Sequence, residues 1–373
     1  MTEKTNEIKE ESLPTTSGFL SQWRQTWLGV TTAFFAVSTF VFILWQVFQW
    51  GGETYKNFIN DGAQALTTLA AFFVTWRVSR HPALDKQTRR AWRIATTAYF
   101  SFACGQTLWF YYRQFEGIEP FPSLIDLAYL SFYPLMLYAL LSFPTLQQTR
   151  TDKRKFLLDT ATVMIAGTTV VWYFIILPTL EKNTDVLKRI LNISFIVGDM
   201  VLFLGIITIL LRRPPENVRR ILFVIIAGLL NLFVADISFA YITLHDIENS
   251  GPLVTFWVTG PFLLLLASFY QYQFASNGVE EESELQKRDY VPAFSWLPYL
   301  AVAVGYGVLL LSTREYWDEP FSGVIFASVI LTGIVLLRQL TAVKENTRLH
   351  SEQAARQSEL RFRTLIENSS DIV

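Results

Sequence analysis

Charged residues are scarce in this 373-residue sequence, at 17% of the total against about 25% in soluble domains. Hydrophobic residues make up 51%, the mean hydropathy is +0.30, and the apolar residues fall in runs of about 20, the length that crosses a bilayer. The net charge is −1, so no broad basic surface is available to bind nucleic acid. The composition predicts a polytopic membrane protein whose partner is the lipid bilayer.

Residues that hold metals and cofactors are equally scarce. Cys104 is the only cysteine, which excludes an intrachain disulfide and a thiolate metal cluster. His81, His245 and His350 all lie outside the apolar runs, which argues against a haem held by two membrane histidines. No lysine stands in mid-span, where a rhodopsin needs one, and the spans contain no His-Glu-x-x-His motif and no Ser-His or Cys-His pair. The sequence predicts no cofactor, no metal and no catalytic residue in this chain.

The apolar runs predict an all-α membrane bundle of about ten helices. The predicted spans are 25–49, 59–78, 92–113, 123–144, 156–178, 188–211, 219–244, 252–274, 293–312 and 321–340. Lys and Arg concentrate in alternate loops, at 77–93, 150–155 and 212–220, and positive residues prefer the cytoplasm. An even number of spans then places both termini in the cytoplasm of a bacterial inner membrane. The polar, acidic segment 1–24 predicts a disordered cytoplasmic tail.

Two parts of the bundle share a pattern at an offset of 127 residues. Trp92-Arg93-Ile94 begins the third span and Arg219-Arg220-Ile221 begins the seventh. The same offset carries Pro134 onto Pro261, and a basic loop with proline precedes each unit. The pattern favours two four-helix repeats, spans 2–5 and 6–9. The identities are few, so chance similarity stays open as well.

The segment after the last span contains no Gly or Pro from Arg338 onward, and it is rich in helix-forming residues. We expect the last membrane helix to continue into water as a linker helix over 341–358. One register places six residues on a coiled-coil seam, and the first five are the predicted signal-transmitting residues of the linker: Leu340, Val343, Thr347, His350, Ala354 and Gln357. This polar seam predicts weak pairing in a homodimer. It suits a linker that switches between two arrangements, and it equally suits an ordinary solvated helix.

Residues 359–373 read as a short amphipathic helix, the turn-like segment Glu367-Asn368-Ser369-Ser370-Asp371 and the start of a strand. The segment resembles the opening of a PAS sensory domain. The pattern Asp126-x-x-Tyr129-Leu130-x-x-Tyr133-Pro134 resembles a segment of multi-span input regions in PAS-linked bacterial transducers. These resemblances imply the membrane input part of a longer signal transducer, truncated at the start of its PAS domain.

In such transducers the output is usually a histidine kinase of a two-component system, or a diguanylate cyclase or phosphodiesterase. The surroundings of His350 resemble a phospho-acceptor helix only loosely. A second hairpin helix is missing, and the PAS-like opening follows after about ten residues. We therefore expect His350 to be a linker residue.

Polar and aromatic side chains within the spans are the predicted binding site for a small-molecule or lipid signal, because ionisable groups in a bilayer are costly and usually face a protein interior. The candidates are Gln106, Trp109, Asp126, Tyr129, Tyr133, Asp199, Asn231 and Asp236. No Lys or Arg lies deep enough to pair with Asp199 or Asp236. Each is therefore expected to be protonated, hydrogen-bonded or in contact with a cation.

A purely structural reading stays open for these residues. They can join helices through hydrogen bonds that contribute about 0.6 to 2 kcal/mol each. Pro134 and Pro261 are predicted to kink their helices, either to transmit a signal or only for packing. Asp61 and Asp159 lie at span ends, where we expect water to reach them and a capping or interface role.

The sequence as a whole predicts a membrane-embedded sensory module that passes a signal through the tenth helix and the linker to cytoplasmic domains. The alternative is a ten-helix transporter or channel, which the membrane acids and the proline-containing helices also fit. The PAS-like end favours the sensory module.

Overall fold

The computed structural model describes residues 27–48, 50, 55–145, 150–182, 185–212, 214–245, 253–276 and 297–312, with parts of 323–342. Every regular element within these ranges is a helix. The predicted tail, almost all of the predicted linker and the PAS-like segment lie outside the described residues. So do five of the predicted signal-transmitting residues: Leu340, Val343, Thr347, His350 and Ala354.

The described helices follow the predicted spans in order. They are α1 (Trp27–Phe48), α2 (Lys56–Ser79), α3 (Lys86–Tyr111), α4 (Ile125–Ser142), α5 (Arg150–Val171), α6 (Leu177–Lys182), α7 (Val186–Leu211), α8 (Glu216–Leu244), α9 (Val254–Ser276), α10 (Leu297–Ser312) and the short α11 (Ala327–Gln339). A π-helical turn over Tyr112–Glu116 extends α3, and another over Trp172–Ile176 joins α5 to α6.

Six of the described helices are long and apolar enough to cross a membrane. They are α1, α4, α5 with its continuation into α6, α7, α8 and α9. The helices α10 and α11 are apolar but shorter. The all-helical fold is confirmed and the six apolar helices indicate a bilayer environment, while the count of ten spans stays a prediction.

Helices α2 and α3 are long but polar, and their packing explains why. Thr75 of α2 and Ser268 of α9 share a hydrogen bond of 2.8 Å, and both are buried. Trp92 of α3 donates from Nε1 to Oε1 of Gln271 in α9 at 3.2 Å. These polar groups face neighbouring helices, so the two helices need less apolar surface than a span in contact with lipid on most sides.

Six helices pack in a closed ring, in the order α2, α3, α4, α7, α8 and α9, with α9 returning to α2. The main hydrophobic core joins all six and includes the fully buried side chains of Trp92, Tyr99, Phe132, Leu202 and Leu264. Outside the ring, α1 packs on α9, α5 packs on α7, and α10 packs on α5. The outer helices leave apolar side chains uncovered, which suits contact with lipid.

The contacts follow the same order in two halves of the ring. One half is α2–α3–α4, the other is α7–α8–α9, and the halves meet through α4 with α7 and through α9 with α2. Ser101 and Gly228, which are 127 positions apart, lie at the two inner crossings. Ser101 donates to the Ala128 carbonyl at 2.7 Å, and a Cβ at Gly228 would stand 3.0 Å from the Gly260 carbonyl oxygen. The packing order therefore relates two units of three helices each. The predicted fourth helices of the two repeats, α5 and α10, pack on each other and do not follow this pattern.

The loop between α2 and α3 is fixed by local hydrogen bonds. Asp85 caps α3 by accepting from the backbone N–H groups of Gln87 at 2.9 Å and Thr88 at 3.0 Å. Burial acts to raise the pKa of Asp85, but the hydrogen bonds from Thr88 and Gln87 outweigh it and leave the pKa below its ordinary value. Arg89 donates to the carbonyls of Pro82 and Leu84, each at 2.8 Å. The basic loop is therefore an ordered connection.

Candidate functional site

Two carboxyl groups meet inside the ring, one from α7 and one from α8. Asp199 is 2% exposed, and its carboxyl interacts with that of Asp236 and with the hydroxyl of Tyr133. Its Oδ1 atom is buried and has no hydrogen-bond donor among the described residues. Most buried polar atoms have a partner; in the described ring the Tyr99 hydroxyl and the Gln273 amide nitrogen also lack one, but Asp199 Oδ1 is the unpartnered atom that belongs to a carboxyl pair.

Asp236 is half-buried and receives a hydrogen bond from α9. Nε1 of Trp257 donates to its Oδ1 at 2.7 Å. The ring of Phe239 packs edge-on against Trp257 with centroids 5.3 Å apart and fixes the indole. Trp257 is a site residue that the sequence analysis missed. Its position near the start of an apolar span was the available signal, but such tryptophans are usually interfacial anchors.

Glycines bring two tyrosines of α4 against neighbouring helices. A Cβ added at Gly198 would lie 2.5 Å from a Tyr133 ring carbon, so the ring rests on the backbone beside Asp199. A Cβ at Gly105 would lie 2.8 Å from Tyr129, which also contacts Phe195 of α7 at a centroid distance of 6.5 Å. Because glycine has no side chain, α4 approaches α3 at Gly105 and α7 at Gly198 closely. This close packing holds the two tyrosine rings near the carboxyl pair.

The structure therefore brings together four of the eight predicted ligand-binding residues: Tyr129, Tyr133, Asp199 and Asp236. Asn231 donates to the Ala227 carbonyl of its own helix at 2.8 Å. Gln106 and Trp109 are half-buried on α3. None of these three has a described contact with the carboxyl pair.

Asp126 has a local role at the start of α4. Its carboxyl is 2% exposed and accepts the backbone N–H of Ser123 at 2.7 Å. Negative groups stabilise a helix N-terminus because they face its unpaired N–H groups. The Tyr129 hydroxyl, one turn later, interacts electrostatically with Asp126 and Asp236. This places Asp126 at the edge of the site.

The prediction for Asp61 was wrong in part. Asp61 is 5% exposed, and water does not reach it as expected. It accepts hydrogen bonds from Arg113 at 3.2 Å and from Gln114 at 2.8 Å, which join the start of α2 to the π-helical turn after α3. Arg113 lies 52 positions away in the chain, so spacing alone gave no signal for this pair.

The prediction for Asp159 was also wrong in part. Its carboxyl forms a buried ion pair with Arg338 of α11, and the two residues are 5% and 4% exposed. Arg338 also donates to the hydroxyl of Tyr299 in α10 and places its guanidinium 4.7 Å from that ring centroid. Gln339 donates to the same hydroxyl at 2.7 Å. This cluster, called the α11 clamp below, ties the end of α11 to α5 and α10.

The helices α4 and α9 run without interruption through Pro134 and Pro261. Both prolines lie beside the site: Pro134 follows Tyr133, and Pro261 follows the tight crossing at Gly260. A proline in a helix leaves a carbonyl without its donor. Their role in transmitting a signal stays a prediction.

No group of three or more His, Cys, Asp or Glu side chains in the described ranges could hold a metal ion. Comparison of the chain with protein-family models, curated proteins and solved structures gives no match.

Proposed function

We propose that this chain is a membrane-embedded sensory and signal-transmission module. In this proposal a small-molecule, lipid or ionic signal changes packing at the Asp199–Asp236 pair. The helix α11 and the predicted linker pass the change to a cytoplasmic PAS domain and an output domain, either a histidine kinase or a cyclic-di-GMP enzyme. The linker is the expected contact of a homodimer.

The observation that carries this proposal is the α11 clamp. It is buried, it joins residues 179 positions apart, and it holds the last described helix to α5 through a charge. A buried ion pair resists partial separation, because removing one partner leaves an uncompensated charge at a cost of about 3 to 5 kcal/mol. A movement of α5 would therefore be passed to α11 and to the segment that follows it.

A packed route leads from the carboxyl pair to the clamp. Phe203 of α7, one turn after Asp199, stacks on Phe233 of α8 with centroids 5.3 Å apart. A Cβ at Gly167 of α5 would lie 2.7 Å from Phe203, so α5 is in close contact with that ring. A change in spacing between α7 and α8 would reach α5, which carries Asp159. Variants along this route would change the coupling between the carboxyl pair and α11.

Charge exchange in the full-length protein tests the proposal. We expect Asp159→Asn and Arg338→Gln each to change signalling output at least several-fold, and the double exchange D159R/R338D to restore part of the wild-type regulation. Kinase autophosphorylation or cyclic-di-GMP turnover in membranes is the measurement. Lys153→Gln, an exposed change on the same helix, is the control and should behave as wild type. Unchanged output in both single variants, with normal protein levels, would contradict a transmitting role for α11.

The native gene offers a second, independent test. A PAS core and an output domain encoded after codon 373 would support the transducer. A transport protein remains the second candidate, because the buried carboxyl pair without a basic partner also suits coupling to an ion. Ion-driven uptake by the purified full chain in proteoliposomes would favour that candidate, and no uptake would favour the sensor.

A further inference from the structure

Asp199 has a buried carboxyl oxygen for which the described protein provides no hydrogen-bond donor. Asp199 Oδ1 is buried and lacks a donor, and the nearest interacting carboxyl is that of Asp236, which is also an acceptor when ionised. Two carboxylates cannot satisfy each other. They repel strongly at short range in a medium of low dielectric constant.

The groups that face the pair do not neutralise it. From α4 the hydroxyls of Tyr133 and Tyr129 approach, and from α9 the indole N–H of Trp257 donates to Asp236. No described Lys, Arg or His side chain interacts with either carboxyl. The donors present are neutral, so they can orient the carboxyls but cannot balance two negative charges.

The size of the space restricts the occupant. The accessible area of Asp199 Oδ1 is below 1 Å², so no water-sized void touches it. An organic ammonium ion or a hydrated ion does not fit against this oxygen in the described packing. No third His, Cys, Asp or Glu side chain in the described ranges joins the pair. Small divalent cations such as Mg²⁺ give up their water ligands reluctantly, so they do not suit this dry site.

We propose that Asp199 and Asp236 bind one small monovalent cation, a proton or Na⁺, between their carboxyl groups. The cation supplies the missing partner for Asp199 Oδ1. Trp257 holds Asp236 and Tyr133 holds Asp199 on either side of it. The inference deepens the proposed function and rests on it for its biological role, because it gives the chemical class of the signal.

Loss of the cation has a mechanical consequence. The carboxyls belong to α7 and α8, which pack directly on each other in the ring. With the cation bound they draw the two helices together, and without it their charges push the helices apart. The pair is therefore a point at which ion concentration changes helix packing.

Infrared difference spectroscopy of the purified full chain tests the proposal. For a bound proton, we expect the carbonyl stretch of a protonated carboxylic acid at neutral pH, and its loss in both Asp199→Asn and Asp236→Asn. For bound Na⁺, we expect NaCl, and not an equal concentration of N-methylglucamine chloride, to shift the carboxylate stretch saturably in wild type and in neither variant. Asp85→Asn removes a carboxylate from the helix cap outside the ring and should leave both signals unchanged.

Further variants keep the test informative if an Asn variant does not fold. Asp199→Glu and Asp236→Glu retain a carboxyl and should shift the frequency of the acid or Na⁺-sensitive band. Trp257→Phe removes the donor to Asp236 and should shift it as well. The proposal is overturned if wild type shows neither the acid band nor a Na⁺ response, if the signal persists in both Asn variants, or if only divalent cations act.

The spectroscopic result is independent of signalling output. A bound cation with unchanged output in the clamp variants would contradict the sensor and leave the site intact. Altered output in the clamp variants without cation binding would contradict the site and leave the sensor intact.

Discussion

At the scale of single residues, this bundle depends on positions where a side chain is absent or a polar group is buried. Gly198 and Gly105 admit two tyrosine rings, and these rings lie next to the carboxyl pair. The same glycines that allow close helix packing therefore build the candidate site. Small residues at helix crossings are a general device of membrane proteins, because close backbone approach supplies van der Waals contact that lipid cannot replace.

Gly198→Ala should destabilise the folded protein by about 1 to 3 kcal/mol, because overpacking forces side chains and backbone to shift. The added Cβ would lie within 2.5 to 2.7 Å of three Tyr133 ring atoms, and the ring has little freedom to move. Unfolding in detergent measures the change. Gly307→Ala in α10 is the matched control, since no atom lies within 4 Å of its added Cβ, and we expect it to be neutral or stabilising by up to about 1 kcal/mol. Equal stability of wild type and Gly198→Ala would show that Tyr133 can move aside.

At the scale of elements, polar contacts at helix ends decide which helices meet. The α11 clamp joins the end of α11 and the start of α10 to the middle of α5, and Asp61 joins α2 to the turn after α3. The loop between α2 and α3 contacts α9 through His81, whose Nε2 lies 3.2 Å from Ser276 Oγ and whose ring packs edge-on against Tyr272. These contacts are long-range in sequence, and each fixes a helix end that apolar packing alone leaves free to slide.

The contact of His81 predicts a pH dependence. Burial lowers the pKa of His81 below its ordinary value of 6.5, and the charges of Arg77 and Arg89 lower it further. The folded protein thus binds a proton less readily than the unfolded chain, and stability falls as pH decreases from about 7.5 to 5. Protonation also removes the acceptor for the Ala83 N–H at Nδ1.

His81→Gln should therefore reduce the loss of thermal stability on acidification, as measured by unfolding in detergent across that pH range. Trp27→Phe, an exposed change on α1 without a titratable group, should keep the wild-type slope. A His81→Gln variant with the full wild-type slope would assign the pH dependence to other groups.

At the scale of the whole molecule, the described ring has a hydrophobic core that contains a few buried polar contacts, and the outer helices expose apolar side chains. Helices α2 and α3 carry polar residues because they lie within the ring, and α1 exposes Phe34, Val37 and Phe40 to its surroundings. The basic loop at 80–85 and the Asp61–Arg113 pair lie at opposite ends of α2 and α3. With Lys and Arg preferring the cytoplasm, the basic loop is expected inside and residues 117–120 outside.

Cysteine labelling tests this orientation. In a Cys104→Ala background, which removes the only native thiol, Ile118→Cys should react with a membrane-impermeant maleimide on intact cells, and Ala83→Cys only after lysis. Both positions are exposed, and α3 between them has 26 residues, about 39 Å at about 1.5 Å per residue. Labelling of Ala83→Cys on intact cells would reverse the topology.

The sequence by itself determined the helical class, the order of the helices and the membrane environment, since these depend on local hydrophobic runs and helix propensity. It also identified Asp199 and Asp236, because a carboxyl in an apolar run is conspicuous wherever the run packs. Only the tertiary structure decided that these two carboxyls meet, that Trp257 holds one of them, and that Asp159 and Asp61 pair with Arg338 and Arg113. Those contacts depend on which helix faces join in the ring, and that choice is made by side chains far apart in the chain.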